Sequence, residues 1–267
     1  MKKSVVVAAA ALAALVGGVS IAAASGEVAA INYNVKGKFS PKKYKAAKLT
    51  FGVNLSAPNP PNITISPMQV ADMRFPAKSI MQFTPKKGLP VCKATPTQLS
   101  VSPEAAYATC PKSYIGNGEA AFQLGQNNSP IAFRKGTVVV FYGGMAGKNV
   151  KIKFSAWSGD TNAGVYAEGI LKPNGQMRIA MPVLTADSAV TTLNIAIPGV
   201  PTPGNFANGT PYSLRKGLDA GFVKVKCRQG QNLKFASTFT LGSRNSLGQP
   251  IGPTSTVSAS SASKCGS

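Results

Sequence analysis

Any chemistry in this chain is built without imidazole, because its 267 residues include no histidine. That absence excludes the common serine and cysteine triads, the helical zinc-protease motif and most proton relays. No G-x-S-x-G turn, P-loop or complete dinucleotide fingerprint occurs, so no cofactor is expected. Gly116-x-Gly118 is a fragment of such a fingerprint, and a tight turn leading into the strand Ala120, Phe122, Leu124 accounts for it. Ser40-Pro41-Lys42-Lys43 and Ser261-Ala262-Ser263-Lys264 fit S-x-x-K, which works when the serine starts a helix and the lysine lies one turn on. The first is crowded by Lys45 and the second lies in a Ser-rich tail beside the last cysteine, so neither is expected to act.

Carboxylates offer one further route. Two of them facing each other at about 5 to 9.5 Å can cleave a glycosidic bond. Glu27, Asp72, Glu104, Glu119, Asp160, Glu168, Asp187 and Asp219 are the full set of acids. Asp160 and Glu168 flank the loop after Trp157, the single tryptophan, which gives a sugar platform with two acids or, more simply, a core or sheet-edge anchor. The acids are too scattered for a calcium site.

Cysteine and lysine carry more information. Four cysteines in an exported chain read as two disulfides with three possible pairings, and proximity favours Cys92–Cys110 and Cys227–Cys265. The spacings contain no C-x-x-C, so no zinc or other metal site is expected. Against 8 acids stand 29 basic residues, a formal charge of +21. Lys151 and Lys153 leave their strand opposite Ile152 and Phe154; Lys224 and Lys226 do the same opposite Val223 and Val225, and Lys234 lies on the following strand. If those strands are neighbours, they form one basic outer face, to which Lys42, Lys43, Lys45 and Lys48 add a loop cluster. Such a field attracts polyanions. Lysines also protect exposed sheet faces from aggregation and keep an extracellular protein soluble without any ligand. Few aromatics lie beside these lysines, which with export disfavours nucleic acid.

The elements that position these residues are strands. Period-2 alternation runs through Leu49, Phe51, Val53 and Leu55; Val150, Ile152 and Phe154; Met177, Ile179 and Met181; Leu193, Ile195 and Ile197; and Leu233, Phe235, Phe239 and Leu241, with Ser237 between. Thr137 to Tyr142 is apolar after its first residue and reads as a central strand covered on both faces. Pro173-Asn174-Gly175 marks a hairpin; Asn117-Gly118 and Asn208-Gly209 mark turns. One helical turn is expected, with Ser102 as cap, Pro103 in the first position and Glu104 opening the run to Ala108. The expected class is therefore all-β, an antiparallel β-sandwich of jelly-roll-like or similar form, with two disulfides and one short helical turn.

Lys2 and Lys3, the apolar run Val5 to Leu15 and the small residues Ala22-Ala23-Ala24 read as a signal peptide spanning 1–24. The run is weakly apolar for a membrane span, and no later stretch is long enough to cross a bilayer. Loss of Lys2 and Lys3 takes the charge from +21 to +19. Residues 25–267 read as a single domain, with a possible sub-boundary near 198–204, where Pro and Gly cluster. The segment 253–263 is rich in Ser, Thr and Ala and resembles a loose tail, except that Cys265 ties its end.

Gly88-Leu89-Pro90-Val91-Cys92, then Ala105-Ala106, then Cys110-Pro111-Lys112-Ser113-Tyr114-Ile115-Gly116-Asn117-Gly118-Glu119-Ala120 resemble the cysteine block of a secreted β-rich family of high-GC Gram-positive bacteria. The late strand Phe222 to Cys227 and the terminal Cys265 are similar to that family's pattern as well. The resemblance implies export, disulfides, β architecture and pairing of Cys92 with Cys110; it implies no activity. The expected function is a secreted, non-catalytic envelope-associated or binding protein, of extracellular or cell-wall location, contacting an anionic cell-wall polymer or polysaccharide. The alternatives are a carbohydrate-active enzyme near Trp157 and a structural surface protein.

Overall fold

The computed structural model describes residues 26–56, 65–85, 87–126, 129–182, 188–200, 221–245 and 249–266, with short pieces at 18–19, 202–205, 211–214 and 247. The signal-peptide reading, Asp187, Asp219 and the Asn208-Gly209 turn lie outside the described residues, apart from the piece at 18–19.

Apolar side chains at every second position leave each strand with one face to bury, and the structure satisfies them with one antiparallel sheet. Its strands follow in the spatial order Pro250–Lys264, Asn232–Arg244, Met68–Arg74, Gln176–Ala180, Ala163–Leu171, Asn149–Ser158, Ser129–Ala146, Tyr114–Gln126, Ser188–Ile197 and Lys45–Ser56, with Val28–Gly37 paired beside the last. The two layers that face each other across the core are two stretches of this one curled sheet. Its ends meet where Val28–Gly37 runs along Pro250–Lys264. The Val35 N–H donates to Ser263 Oγ at 3.0 Å across that seam. Inside it, the Tyr33 ring stacks on Phe235 at 4.5 Å and on Phe51 at 5.7 Å, with Phe75 edge-on. The Tyr33 hydroxyl meets Ser237 Oγ at 3.2 Å, so its polar end is satisfied while the ring is buried. Burial of a side chain such as Phe235 or Leu241 contributes about 1.5–3 kcal/mol, and the inner core holds many of them.

Within Ser129–Ala146, the run Val138–Tyr142 is covered on both faces, as its continuous apolar character requires. Val138, Val140 and Tyr142 join the inner core, whereas Val139 and Phe141 join a second apolar cluster on the outside. That outer cluster is a flap formed by residues 92–110. Cys92–Cys110 ties its ends, and its Leu99 and Ala106 pack down on Tyr114, Val139 and Phe141 of the sheet. The Pro103–Thr109 helix has the expected start: Ser102 Oγ accepts from the Ala105 N–H, and Pro103 and Glu104 occupy the first turn. A second helical turn, Pro96–Leu99, corrects the expectation of only one. Its cause is a capping box, in which Thr95 Oγ1 accepts from the Gln98 N–H and Gln98 Oε1 accepts from the Thr95 N–H.

Two other expectations change. The segment at 253–263 is no loose tail but part of the strand Pro250–Lys264, in register with Asn232–Arg244 over most of its length. Val257, Ala259, Ser261 and Ser263 point inward, and their small side chains fit where the sheet closes on itself. Asn117-Gly118 is not a turn but lies within Tyr114–Gln126. A Cβ on Gly118 would stand 1.8 Å from Asn194 O, so the glycine lets two backbones come close. The strands on either side of residues 198–204 belong to the same sheet, since Val223–Val225 pairs with Lys45–Ser56 and Asn232–Arg244 pairs with Met68–Arg74. The second disulfide, Cys227–Cys265, joins this late part of the chain at one end of the curled sheet.

Candidate functional site

Register decides which lysines meet. Val28–Gly37 and Pro250–Lys264 finish at the end of the sheet where Lys45–Ser56 and Asn232–Arg244 begin. The turns at 146–149 and 171–176 lie at that same end. The short strands Val223–Val225 and Met81–Phe83 also sit there, and they plug the interior with Phe222, Val223, Val225 and Met81.

Around this plug the lysines gather. Lys224 lies opposite Ala46 and Val225 opposite Lys45, which brings Lys224 beside the exposed cluster Lys42, Lys43 and Lys45. The Lys226 ammonium stands 5.5 Å from the centre of the Tyr44 ring. Lys48 is directly opposite Lys36, a like-charge pair that an anion would relieve. Lys36 carries no signal in the sequence, because it belongs to no cluster until the strands pair. Lys234 and Lys264 continue the array beside the second disulfide, where Asn232 is opposite Lys264. Among the described residues, no acid occupies the turns or strand ends here. The nearest, Asp72 and Glu168, lie further in along their strands and are paired, Asp72 with Arg178 at 3.1 Å and Glu168 with Lys151 at 3.0 Å.

The five lysines expected on one face divide: Lys224, Lys226 and Lys234 reach the lysine-rich end from different strands, whereas Lys151 and Lys153 do not join them. Lys151 and Lys153, on Asn149–Ser158, are separated from Lys224 by Ser129–Ala146, Tyr114–Gln126, Ser188–Ile197 and Lys45–Ser56, and Lys234 is on the opposite arm of the sheet. Lys153 is largely withdrawn from solvent. It points outward as the alternation requires, but the flap covers it, and it is 9 % exposed. Its ammonium donates to Ala94 O at 2.8 Å and stands 5.9 Å from the Tyr166 ring centre. Burial lowers the Lys153 pKa; the nearby Glu168 charge opposes this and Lys151 reinforces it. Tyr166 donates its hydroxyl to Glu168 Oε2 at 2.9 Å, and burial, with that hydrogen bond and charge, pushes its own pKa up. The group as a whole pins the flap to the sheet, together with Ser155, whose hydroxyl donates to Leu99 O at 2.5 Å.

The carboxylate pair near Trp157 also comes apart. Lys153 is opposite Glu168 and Ser158 opposite Ala163, while Asp160 sits in the turn beyond. Five residues of strand separate Glu168 from that turn, roughly 17 Å at about 3.4 Å per residue, well past the separation that either glycosidase geometry uses. Trp157 is half-buried beside Gly164, where an added Cβ would lie 2.6 Å from Ser100 C and 2.9 Å from the indole ring. It lies on an interior strand, paired with Thr137 on one side and Gly164 on the other, and packs against the flap rather than at a sheet edge.

At the opposite end of the curl the interior opens as an apolar recess between Phe122, Phe154, Ile179, Met181 and Leu193, with a cavity volume of ≈ 60 Å³. An apolar cavity of about 150 Å³ admits benzene, so this one is too narrow for a ring. The lysine-rich end carries a roomier cleft of ≈ 170 Å³ between Met81–Phe83 and the two turns, lined by Lys78, Lys148 and Lys172. Among the described residues there is no group of His, Cys, Asp and Glu fit to hold a metal, and no helix is long and apolar enough to cross a membrane. No protein-family model, curated protein or solved structure matches the chain.

Proposed function

We propose that this is an exported, non-catalytic binding protein that holds an anionic polymer of the cell surface against its lysine-rich end. The observation that carries the reading is the convergence there of lysines from distant stretches of chain, Lys36 to Lys48, Lys224, Lys226, Lys234 and Lys264, with no acid among the described residues of those turns and strand ends. A one-signed patch concentrates polyanions and speeds their capture. Exposed lysines on separate turns suit a flexible chain of repeated charges better than a single small anion. The carbohydrate-enzyme alternative draws no support from the spacing of Asp160 and Glu168.

Retention of the mature protein on immobilised teichoic acid, polyglutamate and heparin, measured at rising salt, tests the proposal. Screening over about 8 Å at physiological ionic strength makes retention fall steeply with salt. Retention that does not respond to salt would remove the electrostatic reading.

A further inference from the structure

We propose that the cleft at the lysine-rich end is a site for a phosphorylated amphiphile, its phosphate held by Lys78, Lys148 and Lys172 and its aliphatic chain lying on the apolar floor. The inference rests on the reading of that end as anion-binding and names the ligand of one part of it.

Three different connections supply the three lysines. Lys78 comes from the turn before Met81–Phe83, where its carbonyl accepts a 2.8 Å hydrogen bond from the Tyr44 hydroxyl. Lys148 stands on the 146–149 turn and Lys172 on the 171–176 turn, whose backbone is fixed by Lys172 N–H to Gln176 O at 2.7 Å. All three side chains are exposed, and no acid lines the cleft. Three lysines lining one cleft place like charges around it, which an anion would neutralise, and a phosphate monoester offers two charges and three acceptor oxygens to lysine point charges.

The floor explains why the anion should carry a chain. Met81, Val150 and Leu171 form it and are buried, with Phe83 half-buried beside them. Met145, at the rim, is 50 % exposed, an apolar side chain left in water next to Lys148. An inorganic anion would leave Met145 and the open part of Phe83 wet; an aliphatic chain would cover them at about 0.8 kcal/mol per buried methylene. A flexible polymer of sugars or amino acids has no group that uses this surface.

Titration of the mature protein with decyl phosphate below its micelle concentration, inorganic phosphate and decyl maltoside is the experiment. Decyl phosphate is expected to bind at least about tenfold more tightly than either of the others, because each of them satisfies only half of the site. The triple variant Lys78→Gln, Lys148→Gln, Lys172→Gln should lose at least about tenfold for decyl phosphate with an unchanged melting curve, and Met145→Ser should weaken decyl phosphate but not inorganic phosphate. Equal affinity for decyl phosphate and inorganic phosphate, or undiminished binding by the triple variant, overturns the proposal. Sedimentation with phosphatidylcholine vesicles, with and without phosphatidic acid, separates the sources. Vesicle binding that the triple variant loses supports a bilayer lipid, binding of soluble decyl phosphate alone supports a free amphiphile, and binding in neither arm overturns the site. Polymer retention by the triple variant should persist through the lysines around Tyr44, so polymer retention without decyl phosphate binding defeats this inference alone, whereas decyl phosphate binding without polymer retention defeats the broader reading alone.

Discussion

The lysine-rich end and the flap are built from the same materials: each is closed by a disulfide, and each has lysines leaving a strand opposite apolar residues. They do opposite things. At the end tied by Cys227–Cys265, Lys42, Lys43 and Lys45 remain in water, and only short strands fill the interior behind them. Under the flap tied by Cys92–Cys110, Lys153 gives up its water for Ala94 O and the Tyr166 ring. Its neighbour on the same strand and face, Lys151, keeps partial exposure and an ion pair with Glu168. Two residues of separation change a surface charge into a buried strut. Alternation tells which face of a sheet a side chain leaves; whether that face meets water depends on a segment folded over it from elsewhere in the chain.

The largest expected effects test the two closures. Replacing both Cys227 and Cys265 by Ala should cost about 4 kcal/mol of stability and replacing Cys92 and Cys110 about 3 kcal/mol, since the first loop is the longer and the unfolded chain gains more freedom. Urea unfolding of the two variants checks the order. A larger loss for the flap pair would mean that packing of Leu99 on Tyr114 outweighs loop closure. Next comes binding. Changing Lys42, Lys43, Lys45, Lys224 and Lys226 together to Gln should lower retention on teichoic acid about a hundredfold at low salt, given that each exposed cation contributes a fraction of a kcal/mol, and should leave the circular dichroism spectrum intact. Lys153→Met should leave retention unchanged, and a loss comparable to that of the five-lysine variant would show that the flap opens in solution. A smaller effect is expected from Gly164→Val, whose new side chain would press on Ser100 and Trp157. It should destabilise by about 1–3 kcal/mol while polymer retention stays at the wild-type value.

Much of this was legible in the sequence because it depends on local period and local chemistry. The strands through Leu49, Ile152, Met177, Ile195 and Phe235, the two disulfides, the Ser102 cap and the hairpin at Pro173-Asn174-Gly175 all stand where the residues indicated. What failed was non-local. The Ser-rich segment gives no apolar signal, yet it pairs because small residues are what the seam beside Tyr33 and Phe235 accommodates. Gly116 and Gly118 look like turn residues, but their need for small size comes from Ser188–Ile197 pressing against them. Alternation along single strands points to a basic face, whereas the actual cluster depends on which strands pair. Lys36 and Lys224 join it only through the register with Lys45–Ser56. The lysines of the cleft, on three separate turns, carry no sequence signal at all.

The smallest effect is the most specific to the flap. Burial lowers the pKa of Lys153, the attraction of Glu168 being the weaker influence. Between that lowered value and the ordinary lysine value near 10.4, the unfolded chain binds more protons than the folded one at this position, so the contribution of Lys153 to stability increases as pH rises through the window. Below the window the cost of burying the charged form is present in full. Lys153→Met carries no such cost at any pH, but it leaves Ala94 O without its donor. The stability gap between wild type and Lys153→Met should therefore move in favour of the wild type as pH rises towards the ordinary lysine value. Tyr33, Tyr114 and Tyr166, with pKa values raised by burial, act the other way at higher pH because the unfolded chain loses their protons first. They do so in both proteins, and the difference between the two removes most of their contribution. Urea midpoints of both at pH 8, 9 and 10 make the measurement. A gap that moves in favour of Lys153→Met as pH rises would mean that the Glu168 charge, not the loss of water, governs Lys153, and the flap would then be held by an ion pair rather than by a hydrogen bond beneath a dry cover.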